Sequence, residues 1–409
     1  MASAIGGWRR LLPVCPRSRS VSSASTSIPP LAASPATSSS AHDPSFRQGG
    51  FALKQQPFQF ADLTVAPGQR AFTWLPITRL LHGATLRLPV HILHGAEPGP
   101  VLGITGGIHG AEYMPTRMIK EAVGRLAPSA LRGTVVAVPV CNPLSFARGT
   151  RISPDEEDID FANLNRVFPG RRATPLFGGG QPHPSDRTLT ETLAATITDQ
   201  ILSRIDHVID FHSHFRNAGL IKTIQQSGQE GRQAEVTAGM CRAFGLGLIH
   251  EHSPTPKSMT GQAASMGVST CVPEIGGGTM SPATAERCLQ LGVRGILNVM
   301  KYLEMIPGEV ELPSRQLLFH AAPHVRPTTS GYLVSCFDPD QLFLEDEPGV
   351  PVREGETLGT LFDPYTFEDL ETLRSPVDGI LYITRRSGPI EAGSHAYAVA
   401  DFHNSRWID

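Results

Sequence analysis

Several absences narrow the reading of this sequence. No uninterrupted apolar run approaches the ~18 residues that a membrane-spanning helix needs. The six cysteines (Cys15, Cys141, Cys241, Cys271, Cys288 and Cys336) sit singly, with no CxxC pair. That is a poor disulfide framework and suits a reducing compartment. Neither sign of charge dominates: 35 Lys and Arg against 38 Asp and Glu leave a formal net charge of -3. Nucleic acid and membrane surfaces therefore have no electrostatic claim on the chain. No acidic residue precedes Asp43, and no lysine follows Lys301. What is present is ordinary globular material. The chain has 409 residues, 40% hydrophobic and 18% charged, enough for two or three domains with sizeable cores.

Residues 1–48 are a different material, rich in Ser, Ala and Pro, and cannot bury enough apolar surface to order themselves. Arg9, Arg10, Arg17 and Arg19 among many serines resemble a mitochondrial transit peptide. A disordered bacterial extension is an equal alternative. An export signal ranks third, because Pro13 and Pro16 break the apolar stretch that should follow the paired arginines. The expected compartment is cytoplasmic, with mitochondrial as the alternative.

From residue 49 strand and helix patterns alternate. LRLPVHIL, VLGITGG, GTVVAVPVCNP, HVIDFHSHF and VSTCVPEIGG read as strands. YMPTRMIKEAVGRLA, SDRTLTETLAATITDQILSRI (N-cap at Ser185 or Asp186) and a closing helix over 281–306 read as helices. Such alternation predicts an α/β domain with a mixed, largely parallel sheet.

The tetrapeptide HGAE occurs twice, and His and Glu three residues apart can hold a divalent metal. His94 and Glu97 precede Pro98, Gly99 and Pro100, which predict a turn with no third ligand nearby. His109 and Glu112 instead follow a glycine-rich strand and precede a helix, at the carboxyl edge where open α/β sheets place their sites. HVIDFHSHF supplies a third ligand. Alternation puts Asp210, His212 and His214 on one face, with His212 the choice and His214 its rival. Asp210 is expected to accept a hydrogen bond behind the ligand or to cap a backbone group. Two His and one Glu with an open fourth position are the ligand set of a catalytic zinc site. Among the other histidines, His250 and His252 are expected to line a loop, and His320 and His324 to be structural.

HGAE at 109–112, NP at 142–143, NLNRVFPG at 163–170, DFH at 210–212 and PEIGGG at 273–278, in this order, resemble the succinylglutamate desuccinylase/aspartoacylase family. The likeness spans about residues 57–400. It implies a zinc-carboxypeptidase-like α/β/α core and one zinc ion held by His109, Glu112 and His212. Glu274 is implied as general base and acid, with Arg151, Asn165 and Arg166 as substrate contacts. Arg151 is assigned to the oxyanion, with Arg148 its competitor. Asn165 and Arg166 are assigned to a substrate carboxylate, a paired guanidinium geometry, although Arg166 could instead pair with Asp158 or Asp160. Phe168, Pro169 and Gly170 read as packing and turn chemistry.

Aspartoacylase-like members usually read DLNR where this chain reads NLNR, a form similar to the branch of N-acetyl-diamino-acid deacetylases. DFHSHF lacks the glycines expected there, so the acyl group, acetyl or succinyl, stays open. The implied partner is a small N-acyl amino acid, and homo-oligomerisation is left open. A metallocarboxypeptidase and a catalytically dead binding protein of the same fold are the alternatives.

Beyond residue 313 strands and turns dominate. VREGETLG at 352–359 echoes IEAGSHAY at 390–397, and TSGYLV at 329–334 echoes VDGILY at 377–382. Two such units are similar to the barrel-sandwich hybrid of lipoyl carriers, but a carrier needs a lysine and none is present. The expected organisation is an extension over 1–48, a hydrolase domain over 49–312 and a C-terminal β domain over 313–409. The last should wall the active site, with Tyr332 or Arg374 as candidate substrate contacts.

Overall fold

The computed structural model describes residues 55–153, 162–171, 187–214, 217–343 and 348–408, all within one compact unit, Lys54–Asp409. The N-terminal stretch 1–48, the suggested helix caps Ser185 and Asp186, and Asp158 and Asp160 lie outside the described residues.

Strands β1 (Phe58–Phe60) and β2 (Leu63–Val65) pair as a small hairpin. A longer one follows, β3 (Gln69–Arg79) with β4 (Thr85–His94). Strict alternation sends Leu86, Leu88, Val90 and Ile92 of β4 inward. Only Gly95 and Ala96 separate β4 from β5 (Glu97–Thr105), so the turn is tighter than the PGP triplet predicts. Pro98 and Pro100 fall instead where the β5 register against β6 (Arg132–Val138) shifts between Glu97 and Val101. A bulge tolerates their missing N–H groups.

Helix α1 (Met114–Gly124) precedes β6, and α2 (Pro143–Arg148) follows it. Helix α3 (Leu189–Gln200) starts later than Ser185 or Asp186. Thr188 caps it in a reciprocal capping box with Glu191, which satisfies two backbone donors at once. The chain continues through β7 (His207–Asp210), β8 (Ala218–Gln226), α4 (Gly231–Phe244), β9 (Leu248–His252), α5 (Met259–Ser265), β10 (Ser269–Gly277) and α6 (Pro282–Tyr302).

Strands β6, β5, β7 and β10 lie side by side and parallel. Antiparallel β4 and β3 extend one flank, and β8, antiparallel to β10, opens the other. Helices α1, α4 and α6 cover one face through Ile119, Met240, Phe244, Val293 and Ile296. The other face packs Leu193 and Ile197 of α3 and Met259 and Ala263 of α5 against Val90, Val136 and Val208. This is an α/β/α core, and burial on both faces explains why its central strands read as continuous apolar runs. No helix among the described residues is long and apolar enough to cross a membrane.

The tail adds β11 (Gln316–Phe319), β12 (His324–Val325), β13 (Gly331–Ser335), β14 (Val350–Val352), β15 (Thr357–Phe362), β16 (Asp369–Arg374), β17 (Gly379–Arg385), β18 (Gly388–Ile390), β19 (Tyr397–Asp401) and β20 (Ser405–Ile408). The sequence echo reappears as a pairing symmetry. β12 pairs β19 as β16 pairs β15, β13 pairs β15 as β17 pairs β19, and β13 pairs β18 as β17 pairs β14. Each unit thus lends a short strand to the other around a shared interior of Leu333, Leu361, Leu381, Tyr397 and Val399. The tail also continues the main sheet, because β17 pairs β8 and β11 pairs β9.

Candidate metal centre and active site

The parallel strands end where the chemistry begins. After Thr105 the backbone turns through Gly107 (φ +61°), a conformation other residues avoid. A Cβ on Gly110 would stand 2.0 Å from the carbonyl carbon of Ser145, so only glycine lets this loop lie against α2. The NP motif builds that helix. Asn142 accepts a hydrogen bond from the Ser145 N–H as N-cap, and Pro143 opens the first turn. His109 and Glu112 are thereby delivered to the edge of the sheet, each only 2% exposed.

Strand β7 delivers the third member. His109 and His212 turn their Nδ1 atoms to the two oxygens of one carboxylate, Glu112 Oε1 at 2.8 Å and Oε2 at 3.0 Å. One ligand atom from each of the three lies within 4.8 Å of the others, the one such group among the described residues. His214 lies outside it, so the structure favours His212 over its rival. Behind His212, Asp210 Oδ2 lies 3.2 Å from Nε2, and Asp210 Oδ1 accepts from Thr105 Oγ1 at 2.7 Å. Asp210 therefore fixes the imidazole orientation, the first of the two roles expected of it.

The three groups shift one another's ionisation. Burial raises the Glu112 pKa, but the two imidazoles outweigh it and hold the carboxyl far below its usual range. Burial lowers the His109 pKa against the pull of Glu112. Burial opposes protonation of His212 too, yet Asp210 and Glu112 raise its pKa well above normal. Two imidazoles and a carboxylate, buried and convergent, fit a divalent metal with an open position.

His94 and Glu97 have no part in this. His94 is buried between Thr134 Oγ1 (2.9 Å) and the Gln56 carbonyl (2.8 Å), and Glu97 is exposed near Arg132.

Strand register brings in Glu274. The β7–β10 pairing of Ser269 with His207 continues in step to a bridge between Glu274 and His212, so their side chains share one face. On its other side Glu274 sits directly across from Lys222 of β8, whose Nζ is 3.4 Å from Oε2. Burial would raise the Glu274 pKa, but Lys222 and then His212 outweigh it, and the net direction is down. Burial alone would discharge Lys222, whereas Glu274 and Tyr382 hold its pKa up. The sequence reading missed Lys222. Its signal was a lone lysine inside the apolar strand AGLIKTIQQ.

These groups line a cavity of about 530 Å³ together with Arg151, Asn165 and Arg166. Arg151 NH1 donates to Glu112 Oε1 at 3.2 Å, whereas Arg148 is exposed at the end of α2 and off the cavity wall. Asn163 accepts from the Asn165 N–H, and Asn165 Oδ1 accepts from the Met259 N–H, which seats the NLNR segment on α5. Arg166 NH1 donates to the Asn165 carbonyl. Phe168 is buried, its bond to Pro169 is cis, and Gly170 takes φ +75°.

The far wall corrects three expectations. His252 belongs to β9 and lines the cavity, while His250, in the same strand, stacks on Phe319. His324 lines it as well, with Ile383, Arg385, Ser394 and His395, because the β17–β8 pairing folds the tail over the site. Tyr332 and Arg374 do not reach it. Tyr332 packs on Phe362 in the outer sheet, and Arg374 donates to the Gly355 carbonyl and Thr357.

Fold and cavity together define an α/β/α protein with a buried His-Glu-His cluster at the end of its parallel strands. Residues 98–303 match the succinylglutamate desuccinylase/aspartoacylase catalytic domain, half of the chain, and the chain belongs to that family. It is 25% identical over 335 residues to the N-alpha-acetyl-L-2,4-diaminobutyric acid deacetylase of Halomonas elongata, covering 79% of this chain and 86% of that one. The product-bound ectoine utilization protein EutE of Ruegeria pomeroyi superposes with a TM-score of 0.67 at 23% identity, over 81% of this chain and 95% of its own. A succinylglutamate desuccinylase/aspartoacylase of Rhodobacter sphaeroides gives 0.65 at 24%, over 82% and 96%. These two likenesses establish the fold.

Asp210→Asn is expected to lower metal affinity by about 10–100-fold, because the amide cannot hold the His212 ring as the carboxylate does. Metal competition with a chelator measures it, and unchanged affinity would remove Asp210 from the site.

Proposed function

We propose that the chain is a zinc-dependent amidohydrolase that cleaves a small N-acyl amino acid to a carboxylate and an amine. His109, Glu112 and His212 would hold the metal. Zinc bound there would lower the pKa of a water to roughly 7 and polarise the amide carbonyl.

The chain's own groups supply the rest. Glu274, kept ionised beside Lys222, takes the proton from the attacking water and hands it to the leaving amine. Arg151 stabilises the oxyanion. Arg166 and Asn165 orient the substrate carboxylate. We read residues 49–312 as the catalytic domain and 313–409 as the domain that closes the cavity and excludes long chains.

The observation that supports the reading is the shared register of His212 and Glu274, with a carboxylate beside the three candidate ligands. Metal analysis with a hydrolysis screen, varying acyl group and amino-acid side chain separately, tests it. Stoichiometric zinc with turnover of N-acyl amino acids is expected. Preferential cleavage of peptides would favour a carboxypeptidase, and a metal-free, inactive protein would favour a binding role.

A further inference from the structure

Lys222 has a second neighbour that the cavity wall does not reveal. Glu274 of β10 pairs Lys222 of β8, and Ile224, two residues on and therefore on the same face, pairs His250 of β9. His250 in turn pairs Phe319 of β11. Four neighbouring strands thus bring Glu274, Lys222, His250 and Phe319 to one face of the sheet. The Lys222 ammonium is buried, with three N–H donors and no acceptor. Its Nζ lies 3.4 Å from Glu274 Oε2 and 3.3 Å from His250 Nδ1. It also stands 5.1 Å from the centre of the Tyr382 ring, whose face attracts a cation.

The direction of these bonds can be worked out. Lys222 only donates, so His250 Nδ1 must accept, and a neutral His250 ring carries its proton on Nε2. The His320 backbone hydrogen-bonds the same imidazole and favours its protonated form, as a carbonyl acceptor does. The Nε2–H therefore points at that carbonyl, which sets the tautomer from behind. Burial first, then Lys222, His252 and His324, hold the His250 pKa far below its ordinary value, so the Nδ1 lone pair stays available. Phe319 stacks on the ring at 4.6 Å with 8° between the planes and fixes its tilt. The ring and the carbonyl that orient His250 both come from the start of the tail, β11 and the residue after it.

We infer that His250 is a positioning residue for the hydrolysis: its Nδ1 lone pair fixes the Lys222 ammonium, and Lys222 in turn fixes the Glu274 carboxylate where the proton is moved. This rests on the amidohydrolase reading and extends it to a side chain behind the cavity wall, which touches neither substrate nor metal. It also gives the tail a second task. Besides closing the cavity, the tail holds the proton-transferring carboxylate in place through Phe319, His320, His250 and Lys222.

Nitrogen NMR of the full-length, histidine-labelled protein reads the tautomer without any turnover. A neutral ring protonated on Nε2, absent from the His250→Asn spectrum and with an Nδ1 signal that moves in Lys222→Met, is expected. A charged ring, a proton on Nδ1 or a signal indifferent to Lys222 overturns the inference. In kinetics, His250→Phe keeps the stacking but cannot accept a hydrogen bond. It should lower kcat by at least about tenfold, the worth of one hydrogen bond to a charged group, with KM and bound zinc unchanged. His250→Asn, whose side-chain oxygen can stand in for Nδ1, should recover most of that loss. Adding His250→Phe to Lys222→Met should cost nothing further, because the two residues act in series. Wild-type kcat in His250→Phe, or losses that multiply in the double variant, likewise overturns it. If no N-acyl amino acid is hydrolysed by the wild type, the amidohydrolase reading falls, and the spectra still decide whether His250 holds Lys222.

Discussion

His109→Ala should lose both metal and turnover, whereas His94→Ala should keep both. The two histidines open identical HGAE tetrapeptides, so the tetrapeptide alone cannot tell them apart. Their surroundings can. His109 faces a carboxylate shared with a second imidazole, and removing one of three protein ligands leaves too few to retain a catalytic metal. His94 is held by Thr134 and the Gln56 carbonyl in the core. Its loss strands buried polar groups at a cost of about 1–3 kcal/mol, a stability effect only. Elemental analysis, turnover and thermal unfolding of the two variants separate these outcomes. Equal metal loss in both would mean the wrong copy had been chosen.

Glu274→Ala should keep the metal and lower kcat by about 10²–10⁴-fold, the contribution of a lost general base and acid. Full activity would take Glu274 out of the mechanism. The Lys222 pairing adds a pH signature. The carboxyl of Glu274 is held below its ordinary value, so the base is charged down to lower pH and the acid limb of kcat/KM should lie at or below the usual carboxylate range. Lys222→Met removes the largest contribution opposing burial, and that limb should move to higher pH. A limb that stays in place would show that Lys222 does not hold Glu274 ionised. Stability follows the same sign. A depressed carboxyl pKa contributes above the unfolded value and is lost as pH falls through the folded one.

The unequal legibility of the site has physical causes. HGAE, DFH and PEIGG could be read because each is a short run at a strand end, where alternation and glycine geometry constrain the side chains. The tail echo was likewise legible, and it returned as matched strand pairings. Lys222 was missed because its value lies in the residue across the strand, and a lone lysine in an apolar strand marks a buried charge without naming its partner. His324 and His395 were misjudged or overlooked because nothing near them in sequence announces a cavity. They reach it only because β17 joins β8. Tyr332 and Arg374, equally plausible by composition, fall on the other side of the same fold.

By itself the sequence determined the alternation of strand and helix, the choice between two HGAE copies and the set of candidate ligands. Each is a property of residues within about ten positions of one another. Only the tertiary structure decided that Glu274 stands beside His212, that Lys222 and Asp210 secure them, and which tail residues close the cavity. Those depend on register and packing between strands far apart in the chain, and a one-residue slip in register would turn every such side chain to the opposite face.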